Sequence, residues 1–325
     1  MKTENAVKHT ASMKMKPKQE VRKTLKPILK RMLSSYQLYL LLLPTMVYFV
    51  MFHYIPIYGA QIAFKNFIAI KGIAGSDWVG FDHFTRFFQS YQFWTVLKNT
   101  LGISVYELLV AFPAPILLAL LLNSLTSERF KRFVQTVTYA PHFISVVVIV
   151  GMLGIFLSPN NGIINEVIKA FGGDPVFFMG SAGWFKTIFV FSGIWQNIGW
   201  STIIYLAALT SVNPSLHEAA VVDGATKVQR ITYIDFPSIL PTIIILLILN
   251  VGNFMAIGFE KVYLMQNSLN VDSSEIIQTF VYKVGLLNAE YGYSTAVGLF
   301  NSVINFVLLI TVNWTAKRLK QNSLW

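Results

Sequence analysis

The sequence predicts an all-α membrane protein of six transmembrane helices, with both termini in the cytoplasm. Three observations carry this. Of the 325 residues 54% are hydrophobic and only 13% charged, about half the charged share of roughly 25% that a soluble domain carries. The apolar residues gather into six runs, each able to supply the ~20 helical residues that a bilayer requires. Lys and Arg are spread unevenly around those runs, and such unevenness sets orientation.

This composition argues against a soluble enzyme, a disordered chain and a fibrous repeat. The runs are continuous rather than alternating, which argues against a β-barrel. There is no cysteine, so disulfides, thiolate nucleophiles and Cys-ligated metals are excluded.

The chain opens with a basic tail, residues 1–37, that holds ten Lys and Arg: Lys2, Lys8, Lys14, Lys16, Lys18, Arg22, Lys23, Lys26, Lys30 and Arg31. The spans follow at about 38–58, 101–122, 137–157, 187–209, 239–259 and 295–312. The first is too long for a signal-peptide core, and no small-residue cleavage site follows it. With the tail inside, alternation also brings Arg129, Lys131, Arg132, Lys227, Arg230, Lys317, Arg318 and Lys320 to the cytoplasm. The inside then holds 18 of the 26 basic residues. The net charge of +11 therefore reads as topology. The tail can also touch anionic membrane lipid. It lacks the interleaved aromatics of a nucleic-acid binder, and no nucleic-acid partner is expected.

Several spans contain proline or polar residues: Pro44, Glu107, Pro113, Pro115, Asn250, Asn253, Asn301 and Asn305. Lipid-facing helices tolerate these poorly, so these spans are expected to pack on protein or line a wet path. Outside the membrane, 61–94 is rich in aromatics that suit a membrane boundary or a packed re-entrant helix. Residues 158–186 carry turn signals at Pro159–Gly162 and Gly172–Pro175.

The most informative segment is the cytoplasmic loop 213–241. Asn213 is placed to N-cap a helix, with Pro214 at its first position. Gly224 is a natural stop. Thr226 and Gln229 form a capping box that opens a second helix, which Pro237 is expected to end. The result is a helix–turn–helix at the cytoplasmic surface, with small residues that let another protein approach closely.

Glu218, Ala219, Ala220, Asp223, Gly224 and Ala225, followed at the expected spacing by Ile234, Pro237 and Pro241, resemble the EAA loop of ABC-importer permeases. Phe236 departs mildly, standing where an aliphatic residue is usual. Further motifs over nearly the whole chain resemble one branch, the LplB/YteP-like polysaccharide permeases related to the alginate- and maltose-importer permeases. They include Leu42–Pro44, Tyr54, Pro56, Tyr58 and Gly59, Trp78–Phe81, Tyr139–Ser145, Ile194–Gln196, Gly258–Val262 and the terminal Ser323–Trp325.

The resemblance implies the transmembrane domain of a type I ABC importer, maltose-permease-like, over residues 38–325. Its function would be ATP-driven import of polysaccharide-derived oligosaccharides, uronate-containing ones included. The implied partners are a second homologous permease in a heterodimer, two ATP-binding subunits and an extracellular solute-binding protein, expected to be a lipoprotein. The EAA residues would form the helix that docks on the ATPase. ATP and Mg would sit in the ATPase subunits, with no cofactor in this chain. The sequence has no G-x-x-x-x-G-K-[ST] motif that would hold nucleotide, and catalytic and metal-binding residues are not expected. The implied setting is a bacterial cell membrane, and Lys-, Ile- and Asn-rich usage suggests a Gram-positive host.

A sugar path needs polar groups and aromatic faces within the membrane. Candidates are Trp195, Gln196, Asn197, Trp200 and Tyr205 in the fourth span, and Asn250, Asn253 and Phe254 in the fifth. Asn250 and Asn253 share a helix face. They either meet sugar hydroxyls or join helices by hydrogen bonds. Glu107 is expected in a hydrogen-bonded structural role or, alternatively, in proton coupling. Glu260 and Lys261 are expected at the outer surface. The alternative function is a secondary transporter driven by an ion gradient, which would need buried coupling-ion carboxylates and repeat symmetry.

Overall fold

The computed structural model describes residues 34–319 and 323–324. Most of the basic tail, Lys320 and Trp325 lie outside the described residues. The chain divides into two units, Met1–Tyr58 and Gly59–Trp325.

In the first unit α1 (Tyr36–Phe49) contains Pro44 and continues through a π-helical turn, Val50–Tyr54; none of these residues is buried. A bare helix of this apolarity requires a covering of lipid or protein.

The second unit begins with a short antiparallel pair, β1 (Lys65–Asn66) and β2 (Asp77–Trp78), in register Lys65 to Trp78. Then come the amphipathic α2 (Asp82–Gln89), which buries Phe87, and the long α3 (Tyr91–Asn123). Next are α4 (Glu128–Phe143), α5 (Val146–Phe156), α6 (Ile163–Ala170), α7 (Ala182–Leu209) and α8 (Pro214–Val222). The chain closes with α9 (Lys227–Gly252), α10 (Phe259–Met265), α11 (Ile277–Leu287) and α12 (Tyr291–Arg318).

Among the described residues, four helices are long and apolar enough to cross a membrane: Tyr36–Phe64, Tyr91–Asn123, Lys227–Gly252 and Tyr291–Arg318. A fifth is added if α4 and α5 count as one bent span. The 28-residue α7, ~42 Å long at 1.5 Å per residue, has the length. Its polar residues, Gln196 and Asn197 foremost, keep it out of that group.

Three prolines pass through helices by one device. Backbone N–H groups of Ile55, Phe112 and Phe236 reach back five residues to the carbonyls of Val50, Glu107 and Ile231. One residue beyond each π-turn stands Pro56, Pro113 or Pro237. The widened turn accommodates the missing N–H and keeps the ring off the preceding carbonyls. This corrects one expectation: Pro237 does not end the second loop helix, which runs on as α9 into the membrane segment.

The third expected span, 137–157, is broken. α4 and α5 meet at 102°. Pro141 sits in a 3-10 turn, Ala140–Phe143, and Ser145 turns extended and caps α5 by accepting from the Val148 N–H at 3.4 Å. The fifth span, expected to reach 259, stops as helix at Gly252, and residues 253–258 are irregular. Irregular backbone in an apolar setting requires partners. Asn305 Oδ1 accepts from Met255 N–H at 2.9 Å, Gln278 Nε2 donates to Met255 O at 3.2 Å, and Ser104 Oγ donates to Phe254 O.

Three apolar clusters hold the second unit. One centres on Ile103, Phe185, Phe189 and Met265, one on Phe87, Phe280, Tyr293 and Val297, and one on Ile116, Tyr205, Leu209 and Ile239. The first and third together run along α7, which is thereby the axis of the unit.

Candidate functional site

Two regions collect the candidate residues. The first is the loop from α7 to α9, where local chemistry sets the geometry. Asn213 Oδ1 accepts from Ser215 N–H at 3.1 Å, with Pro214 at the first helical position. Gly224 has φ of +77°. Ala225 N–H bonds Ala220 O at 2.8 Å and Gly224 N–H bonds Val221 O at 3.1 Å. This is a Schellman ending, whose left-handed residue is favoured as glycine. Thr226 N–H donates to Gln229 Oε1 at 2.7 Å, and Gln229 N–H returns to Thr226 Oγ1 at 3.3 Å.

No residue of α8 is buried. Leu216, Val221 and Val222 are 51%, 55% and 87% exposed. Glu218, Ala219, Asp223 and Gly224 are exposed, and Ala220 and Ala225 are half-buried. The short capped helix thus displays aliphatic side chains beside small residues on an exposed face.

The second region is a cavity of about 810 Å³ in the second unit, walled by α3, α7 and α9. Of the path candidates it brings together Asn197, Trp200, Tyr205, Asn250, Asn253 and Phe254, and it adds Ser104, Glu107 and Ser201. Asn250 and Asn253 are exposed, and Asn253 Nδ2, just past the end of α9, donates back to Leu249 O at 3.2 Å. Among the described residues neither side chain bonds to another helix.

Two candidates are not on the cavity wall. Trp195 projects from the other side of α7, as helical periodicity dictates. It lines a separate apolar cavity of about 520 Å³ with Ile149, Met152 and Phe191. Gln196 is buried, and its Nε2 donates to Ile144 O at 3.0 Å, which satisfies a carbonyl freed at the α4–α5 break. Its neighbours also brace this corner. His142 Nδ1 lies 3.0 Å from Asn197 Oδ1, and its ring stacks on Trp200 at 4.5 Å. Gln196→Leu is expected to cost about 1–3 kcal/mol, the penalty of an unpaired buried carbonyl, read as a lower thermal midpoint in detergent.

Glu107 was legible in the sequence as an intramembrane carboxylate. The structure puts it on the cavity wall at the start of a π-turn. Lys261, expected at the surface, is buried: its Nζ donates to Phe189 O at 2.9 Å and lies 4.8 Å from the Phe189 ring centre. Glu260 beside it is exposed. Among the described residues no group of three or more His, Asp or Glu is placed to hold a metal ion. Amides, hydroxyls, indole and one carboxylate suit the passage of a hydroxylated solute.

Residues 111–321 match the family described as binding-protein-dependent transport system inner membrane component. Protein LplB of Bacillus subtilis (strain 168) is 44% identical over 288 residues, covering 89% of this chain and 91% of the relative. The polygalacturonan/rhamnogalacturonan transport system permease protein YteP of the same organism is 42% identical over 300 residues, covering 92% of this chain and 94% of the relative. The fold matches a chain in the crystal structure of a bacterial alginate ABC transporter in complex with an alginate pentasaccharide-bound periplasmic protein. There the TM-score is 0.84 and the identity 41%, over 91% of this chain and 99% of that chain.

Proposed function

The chain belongs to the family of binding-protein-dependent transport system inner membrane components, and from that premise we propose that it is one of two homologous permeases forming the path of an ATP-driven oligosaccharide importer. The substrates are oligosaccharides cut from polysaccharides, acidic ones among them. YteP is named for polygalacturonan and rhamnogalacturonan transport, and the matched structure is of an alginate transporter. Two ATPase subunits, which hold ATP and Mg, bind below, and an extracellular binding protein, a lipoprotein in a Gram-positive host, delivers the sugar. The chain itself is no enzyme. It crosses the bacterial cell membrane six times with both ends inside, α7 counting as one crossing and the bent α4–α5 pair as another.

The observation that carries this reading is α8. It is capped at both ends, turned back by Gly224, and presents Glu218, Ala219 and exposed aliphatics with no residue buried. The loop residues Glu218, Ala219, Ala220, Asp223, Gly224 and Ala225 are the contact with the ATPase. The sugar passes Asn197, Trp200, Asn250, Asn253 and Phe254, with Tyr205 deeper in the wall.

The chain has no native cysteine, so single cysteines report cleanly. Ala219→Cys, in the complex purified from native membranes, is expected to cross-link to an ATPase subunit; a cysteine at Phe171, exposed outside α8, is not. Equal cross-linking from both positions would count against the docking role. For the path, Asn250→Leu is expected to raise the KM for uptake about fivefold, which is ~1 kcal/mol of lost hydrogen bonding, with ATPase binding unchanged. An unchanged KM would remove Asn250 from the path.

A further inference from the structure

A helix that receives force from an ATPase must be tied to the spans it moves, and α8 has no buried residue to tie it. Among the described residues its one side-chain ion pair or hydrogen bond to another element runs through His217. The Nε2 of His217 lies 3.2 Å from Asp235 Oδ1. Asp235 is the last residue of the π-turn Ile231–Asp235 in α9 and is only 3% exposed. The same oxygen accepts a hydrogen bond from Asn123 Nδ2 at 3.2 Å. Asn123 is the last residue of α3. One buried carboxylate oxygen therefore joins three elements that share no other polar contact at this point.

A buried carboxylate persists where its charge is compensated and hydrogen-bonded. Arg230, one π-turn earlier, supplies positive charge, and its Nε is buried with no hydrogen-bond partner among the described residues. His217, Glu218, Lys227, Arg230, Asp235 and Asn123 all line one cavity of about 450 Å³ beneath α8. The charge set is mixed, and the three elements that Asp235 connects share the walls with Leu209 at the end of α7, Val212 and the loop Ser124–Thr126. Neither His217 nor Asp235 is among the residues that carry the EAA resemblance. His217 precedes Glu218, and Asp235 fills the place between Ile234 and Phe236.

We propose that Asp235 is a positioning residue that couples α8 to the membrane helices, a strut through which His217 carries the motion of α8 to α9 and, by way of Asn123, to the end of α3. The proposal rests on α8 being the ATPase-docking helix. With the strut cut, α8 still docks and the ATPases still turn over, but their closure is no longer passed fully to the path. The signature is uncoupling rather than loss of assembly.

The test uses the whole complex, purified through this chain from native membranes and reconstituted in vesicles with its binding protein and the oligosaccharide it carries. Two quantities are read: ATPase subunits retained, and sugar imported per ATP hydrolysed. Asp235→Ala and His217→Ala are each expected to keep the ATPase subunits and to lower sugar per ATP about tenfold, within the ordinary range of coupling between sites. The double variant is expected to be no worse than either single, as for two residues acting through one contact. Asp235→Asn keeps an oxygen that accepts both hydrogen bonds and is expected to retain most of the coupling.

Unchanged sugar per ATP in Asp235→Ala overturns the proposal, and so do losses that multiply in the double variant. If Asp235→Ala does not assemble, the half-buried His217 decides: unchanged sugar per ATP in His217→Ala overturns the proposal. A wild-type complex that imports nothing on ATP would instead overturn the reading of α8 as the docking helix, and the strut with it.

Discussion

Gly224→Pro is expected to lower oligosaccharide uptake more than about 100-fold, with the protein still inserted in the membrane at wild-type level. The residue stands at φ +77°, whereas proline is fixed near −65°. Proline would also remove the N–H that bonds Val221 O at 3.1 Å. It would disfavour the preceding Asp223, now at φ −76° and ψ 3°, because a residue before proline is pushed toward extended backbone. Together these cost ~3 kcal/mol or more, and the turn between α8 and α9 cannot form. A Cβ at Gly224 would meet nothing within 4 Å, so the constraint is conformational and not one of space. Gly224→Asn should therefore be mild, because asparagine visits the left-handed region, and Gly224→Ala intermediate at about 1 kcal/mol. Uptake falling in the order Gly, Asn, Ala, Pro would identify the turn as the cause. Wild-type uptake in Gly224→Pro would sink the coupling role of the loop.

Gly199→Val is expected to remove most of the correctly folded protein. A Cβ there would lie 2.3 Å from Thr138 O, 2.5 Å from Thr138 C and 2.8 Å from Tyr139 Cδ1. Two of these are backbone atoms with no rotamer to change, so α7 would have to move off α4. Overpacking of this kind costs about 1–3 kcal/mol. It would also pull Gln196 from Ile144 O, leaving a buried carbonyl unpaired at about another 1–3 kcal/mol. The sum corresponds to a midpoint lower by about 10 °C in a chain of this size. Gly154→Ala, at a position with no atom within 4 Å of the new methyl, serves as the control and should leave the midpoint unchanged. Equal midpoints for Gly199→Val and wild type would mean that the α4–α7 crossing is looser than the structure shows.

The loop was legible almost residue by residue because its determinants are local. Asn213 caps its own helix, Thr226 and Gln229 cap each other, and Gly224 needs no distant partner to turn the chain. Pro237 misled for an equally local reason: a π-turn placed just before a proline leaves no mark in composition or periodicity. The break at Ile144 and Ser145 was signalled by Pro141 and by Ser145 itself, but the apolar run around them reads as one continuous span.

The candidates for the cavity divide similarly. Glu107 and Asn250 stood out as polar residues in apolar runs, and both line the cavity. Gln196 has the same appearance in the sequence, but it faces the broken corner because Ile144 O lies there, a contact between residues 52 apart. The partners of the irregular backbone after Gly252 come from Ser104, Gln278 and Asn305, on three different elements. Lys261 lies in a surface-like stretch, and the packing of α10 carries it inside to Phe189 O of α7. These are tertiary facts, and periodicity does not reach them.

The most direct test of the account is solute uptake by the complex purified through this chain and reconstituted in vesicles, measured with ATP alone and with an ion gradient alone. ATP and the binding protein together are expected to drive oligosaccharide accumulation, ionophores to leave it unchanged, and Gly224→Pro to abolish it. Accumulation that proceeds without ATP and collapses with the gradient would contradict the account, and would make the chain a secondary transporter.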